Sequence, residues 1–183
     1  MRAAVRKLAY EQLADPVRLG AALRGTAAPV LDVLGPAALS YLDREAFVPA
    51  LAEDAGVRVE RVARDDSALT ALLAGVGEDD AGESGLDEIT SPAFLLRGSG
   101  ATDRAVVAAA GYVTWPRSVG HVCVLVAPHR RGRRLARIVA SAAVSHALDA
   151  GLLPRWRARP YPSRRVAAAL GFRELGAQLS VRM

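Results

Sequence analysis

The sequence predicts an α/β (α+β) fold, a sheet flanked by helices, over most of the chain. Short apolar runs alternate at period two, as half-buried strands do. Between them lie segments with a helical apolar stripe, each closed by a glycine. From residue 57 the elements read β, α, acidic loop, β, β, β, α, β, α, β, β. With 183 residues, 51% of them hydrophobic, the chain can build one substantial core.

Residues 1–56 read as an extension of uncertain role and 57–183 as the main domain. In the extension, YEQLADPVRLGAALRG predicts a short helix, AALSYLD (37–43) a strand and REAFVPALAEDAG a second helix. VRVERVA (57–63) alternates as a strand. Asp65, Asp66 and Ser67 offer oxygens to cap the helix ALTALLAGVG. The acidic, turn-rich stretch 78–92 reads as loop or weak helix. AFLLRG (93–98), AVVAAAGYVTW (105–115) and HVCVLVA (121–127) are strands, separated by turns at GSGATD and WPRSVG. The helix 131–150 carries the stripe Leu135, Ile138, Val139, Ala142, His146 and stops at Gly151. PRWRARP (154–160) is a strand, and PSRRVAAAL (162–170) a helix from Pro162 to Gly171. FRELG and QLSVRM read as a closing hairpin.

No run approaches the roughly 18 apolar residues of a membrane span. The first residues lack the apolar core of a secretory signal. A single cysteine, Cys123, excludes an internal disulfide framework and suits a reducing cytoplasm. With no CxxC and three scattered histidines, no metal site is expected.

The net charge of +5 is unevenly spread. Residues 1–120 hold 12 basic and 17 acidic side chains, a balance of −5; residues 121–183 hold 12 arginines against Asp149 and Glu174 alone, a balance of +10. Arginine offers a planar fork of donors to phosphate, so the C-terminal third is expected to face an anion. Five of its arginines crowd into 130–137, where a strand meets a helix. A helix start presents unpaired amides and the positive end of its dipole, and a tight glycine turn can aim those amides at an anion. In APHRRGRRLA, Pro128 ends the strand and Gly132 permits the turn. Neither GxxxxGK[ST] nor GxGxxG occurs.

This stretch resembles the acyl-coenzyme A signature of the GCN5-related N-acetyltransferase (GNAT) family. There a strand ending in Val-x-Pro is followed by Arg/Gln-x-x-Gly-x-Gly/Ala at the start of a long helix. Val126, Ala127 and Pro128 match the strand end, and Arg131, Gly132, Arg133, Arg134, Leu135 and Ala136 fill the loop, with Arg134 where the family carries its central glycine. A second block, PYPSRRVAAALGFRELG, is similar to the family's helix ending in Leu-Gly-Phe, with Pro160 in place of the usual Asn; it looks like the FR47-type branch.

The resemblance implies a mixed, mostly antiparallel sheet that splays between the domain's fourth and fifth strands. It implies acetyl-CoA as co-substrate and an amine as acceptor. Val124, Leu125 and Val126 would pair with the pantetheine arm, residues 131–136 would hold the pyrophosphate, and Ser163 would line the site. An alkyl ammonium, of pKa about 10.4, must lose a proton before it can attack a thioester. Tyr112, His121 and Glu83, with Asp87 and Glu88 beside it, are candidates for that step. The tyrosine that serves many relatives as acid is replaced by Ala167, leaving Tyr161 or Ser163. His146 lies on the apolar stripe of its helix and reads as a core residue, Trp156 as core or pocket wall, and Cys123 as an inert buried thiol. Two other readings fit the residues: an acyl-CoA-binding protein that has lost transfer, and a basic nucleic-acid-binding module. Against the second, aromatic residues are only 5% of the chain and are not interleaved with exposed arginines.

Overall fold

In the computed structural model, which describes residues 15–24, 32–50, 57–98, 105–116 and 118–182, the alternating segments pair into one seven-stranded sheet. Its strands are β1 (Asp32–Tyr41), β2 (Val59–Val62), β3 (Ala93–Arg97), β4 (Val106–Trp115), β5 (Val119–Val126), β6 (Leu153–Ala158) and β7 (Arg173–Arg182). Their spatial order is β2-β3-β4-β5-β6-β1-β7. All neighbours run antiparallel except β5 and β6. The helices are α1 (Pro16–Leu23), α2 (Ser67–Ala74), α3 (Glu78–Ser84), α4 (Leu135–Asp149) and α5 (Tyr161–Ala169). The mixed, mostly antiparallel sheet expected from the sequence is therefore present.

Alternation along β4 and β5 divides the core between the two faces of the sheet. On one face Ala109, Cys123 and Leu125 pack under Leu69 and Leu72 of α2 and under Leu86 and Ile89. On the other, Ala108 and Ala110 lie with Phe94 and Leu96 against Ile138, Val139 and Ala143 of α4. Residues 108–110 are all alanine and wholly buried; small side chains on both faces let covering elements approach closely. A third cluster joins Val122, Trp156 and Ala158 to Val144 and Leu148 of α4, Ala167 of α5, Leu170 and Phe172. Asp66 caps α2 by accepting from the Ala68 amide at 2.8 Å, worth about 1 kcal/mol.

Four elements differ from the sequence reading. The strand read at 37–43 begins earlier and is an interior strand, antiparallel to both β6 and β7, so the expected boundary at residue 57 falls between two strands of one sheet. Gly35 and Pro36 disguise β1; the ladder to β7 shifts register there, and pairing to β6 begins only at Ala38. The closing hairpin is instead the single strand β7. Gly176, the last residue of FRELG, pairs with Leu39 beside a second register shift. The helix expected over 44–56 is a 3₁₀ turn at Arg44–Ala46 followed by irregular chain to residue 50. The acidic stretch contains a true helix, α3. Glu78, Asp79 and Asp80 sit in its first turn, and Gly85 closes it in the left-handed region at φ 65°. Residues 51–56 and most of the GSGATD turn lie outside the described residues.

Candidate functional site

β5 and β6 pair only at Val119↔Leu153, Gly120↔Pro154 and His121↔Arg155. β5 then follows β4 to Val126 while β6 follows β1 to Ala158, and the two strands part. The Ala127 amide donates to the Val107 carbonyl of β4 at 2.9 Å. By the alternation of an antiparallel ladder, Val124 and Val126 then turn their backbone groups the other way, into the gap. Leu125 turns its own toward β4 and buries its side chain beneath α2. The gap opens into a cleft of about 410 Å³, lined by Val122, Val124 and Val126 on one side, Trp156 to Pro160 on the other, and the loop leading into α4.

That loop is a 3₁₀ turn at Pro128–Arg130, then an irregular turn through Arg134. Among the described residues, the amides of Gly132, Arg133, Arg134, Leu135 and Ala136 donate to no protein acceptor, whereas those of Arg130, Arg131, Arg137 and Ile138 do. No side chain caps α4. Five consecutive unpaired donors and the positive end of a 15-residue helix therefore meet at the mouth of the cleft. Gly132 adopts φ 78° and Arg134 φ 62°. Arg134 thus keeps the left-handed turn that a glycine would supply, at a cost of about 1–2 kcal/mol. We expect Arg134→Gly to raise stability by about 1 kcal/mol, part of the relief being offset by the freer unfolded chain. Chemical denaturation would read this as an unchanged slope with a higher midpoint.

α3 lies against both lips of the cleft. Asp80 pairs with Arg131 at 2.7 Å, and Glu83 accepts from Arg159 Nε at 2.9 Å. Both pairs are half exposed, and each contributes no more than about 1 kcal/mol.

A second cavity, of about 430 Å³, adjoins the cleft; His121, Arg157, Glu83 and Ser84 line both. Its further walls include Asp87, Glu88, Trp115, Cys123, Arg155 and Gln178. The register places Val113, His121, Arg155 and Tyr41 in one row across four strands. His121 stands where β5 and β6 separate, its ring 5.4 Å from that of Trp115. Burial, then the charges of Arg155 and Arg157, push its pKa down to about 4, so the ring is neutral at pH 7. Its Nδ1 is buried and has no hydrogen-bond partner.

The other residues singled out from the sequence divide between site and core. Ser163, in the first turn of α5, accepts from Trp156 Nε1 at 3.0 Å and lines the cleft, and Trp156 also packs edge-on against Phe172. Arg131, Gly132, Leu135 and Ala136 line the cleft; Arg133 and Arg134 are exposed on the loop. Tyr112 is not brought to the site. It points to the opposite face of β4 from His121's partner Val113, and its hydroxyl meets His146 Nδ1 at 2.9 Å. Burial raises the pKa of Tyr112 and lowers that of His146. Glu83 is engaged by Arg159 at the rim. Cys123 has its thiol pushed up to about 12, by burial first and then by Glu88 and Asp87, which leaves it unreactive. Arg155, Trp115 and Gln178 escaped the sequence reading. The alternation in RWRAR carries a signal for the first, since period two puts Arg155 and Arg157 on one face.

A GNAT acetyltransferase family model matches residues 93–177. Among solved structures, the chain is similar to a protein of Novosphingobium aromaticivorans assigned to the GNAT family of acetyltransferases, at TM-score 0.60 and 21% identity over 84% of this chain and 65% of that one. It is also similar to a GCN5-related N-acetyltransferase from Kribbella flavida, at TM-score 0.56 and 22% identity over 82% and 58%. A GNAT-family acetyltransferase from Colwellia psychrerythraea aligns at TM-score 0.58 and 14% identity over 83% and 57%. The chain thus spans less than two thirds of the length of each of these proteins. No curated protein matches it.

Proposed function

Because a GNAT acetyltransferase family model matches residues 93–177, we propose that the chain is an N-acyltransferase that moves an acetyl group from acetyl-CoA to an amine. The observation that carries this reading is the run of unpaired amides at Gly132–Ala136 beside a break in the sheet. Those amides suit a pyrophosphate. The backbone groups of Val124 and the Val126 amide suit an extended amide-bearing arm, which they would take up as a sheet edge takes up a strand; the Val126 carbonyl accepts from Arg131 Nε at 3.4 Å.

Acetyl-CoA supplies an activated acyl carbon. The protein's share is to hold it along β5 and to receive a proton from the incoming nitrogen. Overall one N–C bond forms and the C–S bond breaks; the ammonium gives up two protons, one ending on the departing thiol and one in solvent. In this reading His121, neutral and lining both the cleft and the second cavity, accepts the proton from nitrogen. The Ser163 hydroxyl accepts from Trp156 and so has its own proton free to give; in this reading it serves as the acid that Ala167 cannot be.

Coenzyme A at 100 times its Kd should raise the unfolding free energy by about 2.7 kcal/mol. With acetyl-CoA and a suitable amine, thiol release should follow. A protein whose thermal midpoint ignores coenzyme A would overturn the proposal. Binding without release to any amine would instead favour the acyl-CoA-binding reading that the replacement of tyrosine by Ala167 allows.

A further inference from the structure

The second cavity is lined by a buried cation, Arg155, that has no counter-ion among the described residues. Arg155 is only 5% exposed. Its guanidinium stacks over the Trp115 ring at 4.2 Å, and its Nη2 donates to Gln178 Oε1 at 2.7 Å. Its Nε is buried with no acceptor, and among the described residues no carboxylate lies within ion-pair distance. Burial lowers its pKa without discharging it. A buried, unpaired guanidinium is costly, and one held flat by an aromatic ring and an amide is preorganised for a planar oxyanion. Arg157 lines the same cavity, and so do the carboxylates of Asp87 and Glu88 and that of Glu83, which Arg159 holds. Both signs thus face one cavity, with His121 at its junction with the cleft.

We infer that the acceptor is an amino carboxylate, its carboxylate held by Arg155 and its amino group turned toward His121. This rests on the N-acyltransferase reading above and narrows it from any amine to zwitterions such as free α- or β-amino acids. A simple cationic amine would leave Arg155 unpaired. A carboxylate satisfies its fork while the acidic wall steadies the ammonium until the proton leaves.

The test is thiol release from acetyl-CoA with the common L-α-amino acids and β-alanine, each beside its amide, with every rate divided by the fraction of free amine because loss of the carboxylate also lowers the amine pKa. Amino acids should be preferred by roughly 10- to 100-fold in kcat/KM, the worth of a charge-assisted pair in a buried site. Arg155→Met should bring that ratio close to one by raising KM for the acids far more than for the amides. If Arg155→Met does not fold, Gln178→Ala, which frees the guanidinium from its hold, should lower the same ratio. Equal rates on acids and amides, a preference that survives in both variants, or transfer to no carboxylate-bearing amine overturns the inference. The two readings are separable. If coenzyme A does not bind, the transfer reading fails; calorimetry of N-acetyl-β-alanine against the CoA-free protein then decides the anion site, with heat in wild type and none in Arg155→Met supporting it and no heat in wild type ending it.

Discussion

His121→Gln should lower kcat/KM for acyl transfer by about 100- to 10,000-fold, the usual worth of a positioned base, and should leave stabilisation by coenzyme A unchanged. Glutamine keeps the polarity and approximate volume of the ring but cannot take a proton. The pH dependence distinguishes this role from a structural one. The folded pKa of about 4 means that the ring is charged only below that pH, not below the ordinary 6.5. Once rates are divided by the fraction of free amine, log kcat/KM should be flat from about pH 5 to 8 and bend near 4, with no inflection near 6.5. A base this weak does not strip a free ammonium. It serves once nitrogen has begun to bond the acyl carbon and its remaining N–H protons have become acidic. An inflection near 6.5 that vanished in His121→Gln would show a solvated ring and contradict the buried geometry. A variant within threefold of wild type would assign the step to another group in the cavity.

The parts of this site that lie along one strand and one turn could be read from the residues. Pro128, Gly132 and the arginines mark the junction because a proline stop, a glycine turn and an uncapped helix start are local features. The sheet gap followed from resemblance, and the register shows its cause. What could not be read is which strands are neighbours. β6 joins β5 in parallel after an intervening helix, and only that pairing carries Arg155 to His121, 34 positions away in sequence. The same blindness misplaces Tyr112. It is opposite Val122, on the α4 face, so a one-residue difference in parity sends it into the core rather than the cavity. β1 was obscured by Gly35 and Pro36, and β7 by Gly176, each of which bends a ladder instead of ending it.

The charge asymmetry has a structural counterpart. Three acids of the N-terminal part find arginines of the C-terminal third: Asp80 with Arg131, Glu83 with Arg159, and Asp43 with Arg173. Each pair is weak, but each draws an acid of the N-terminal part onto the basic third. The donors at the cleft mouth include the main-chain amides of 132–136, which suit an anion bound at one place.

Gly171→Ala should destabilise the fold by about 3–5 kcal/mol, lowering the thermal midpoint by about 10 °C in a chain of this size. Gly171 follows α5 in the left-handed region at φ 95°, and the Phe172 amide turns back to the Ala167 carbonyl at 3.1 Å. A methyl group there would collide with the Ala46 carbonyl and come within 3.3 Å of Leu42 Cδ1. The neighbour cannot move cheaply, because the Val48 amide donates to the Leu170 carbonyl at 3.0 Å and ties the same segment to the end of α5. Backbone strain alone does not account for an effect this large. Gly151 provides the control: its φ of 72° is also left-handed, but nothing lies within 4 Å of an added Cβ, so Gly151→Ala should cost only about 1 kcal/mol. The difference between the two, read from denaturation midpoints at equal slope, isolates the steric cost of pressing residues 44–48 onto α5. That contact also positions the cleft wall, since α5 carries Ser163 and Val166. Gly171→Ala should therefore weaken coenzyme A binding in whatever fraction stays folded, whereas Gly151→Ala should not. Equal costs for the two substitutions would mean that the segment does not lie against the helix end as described.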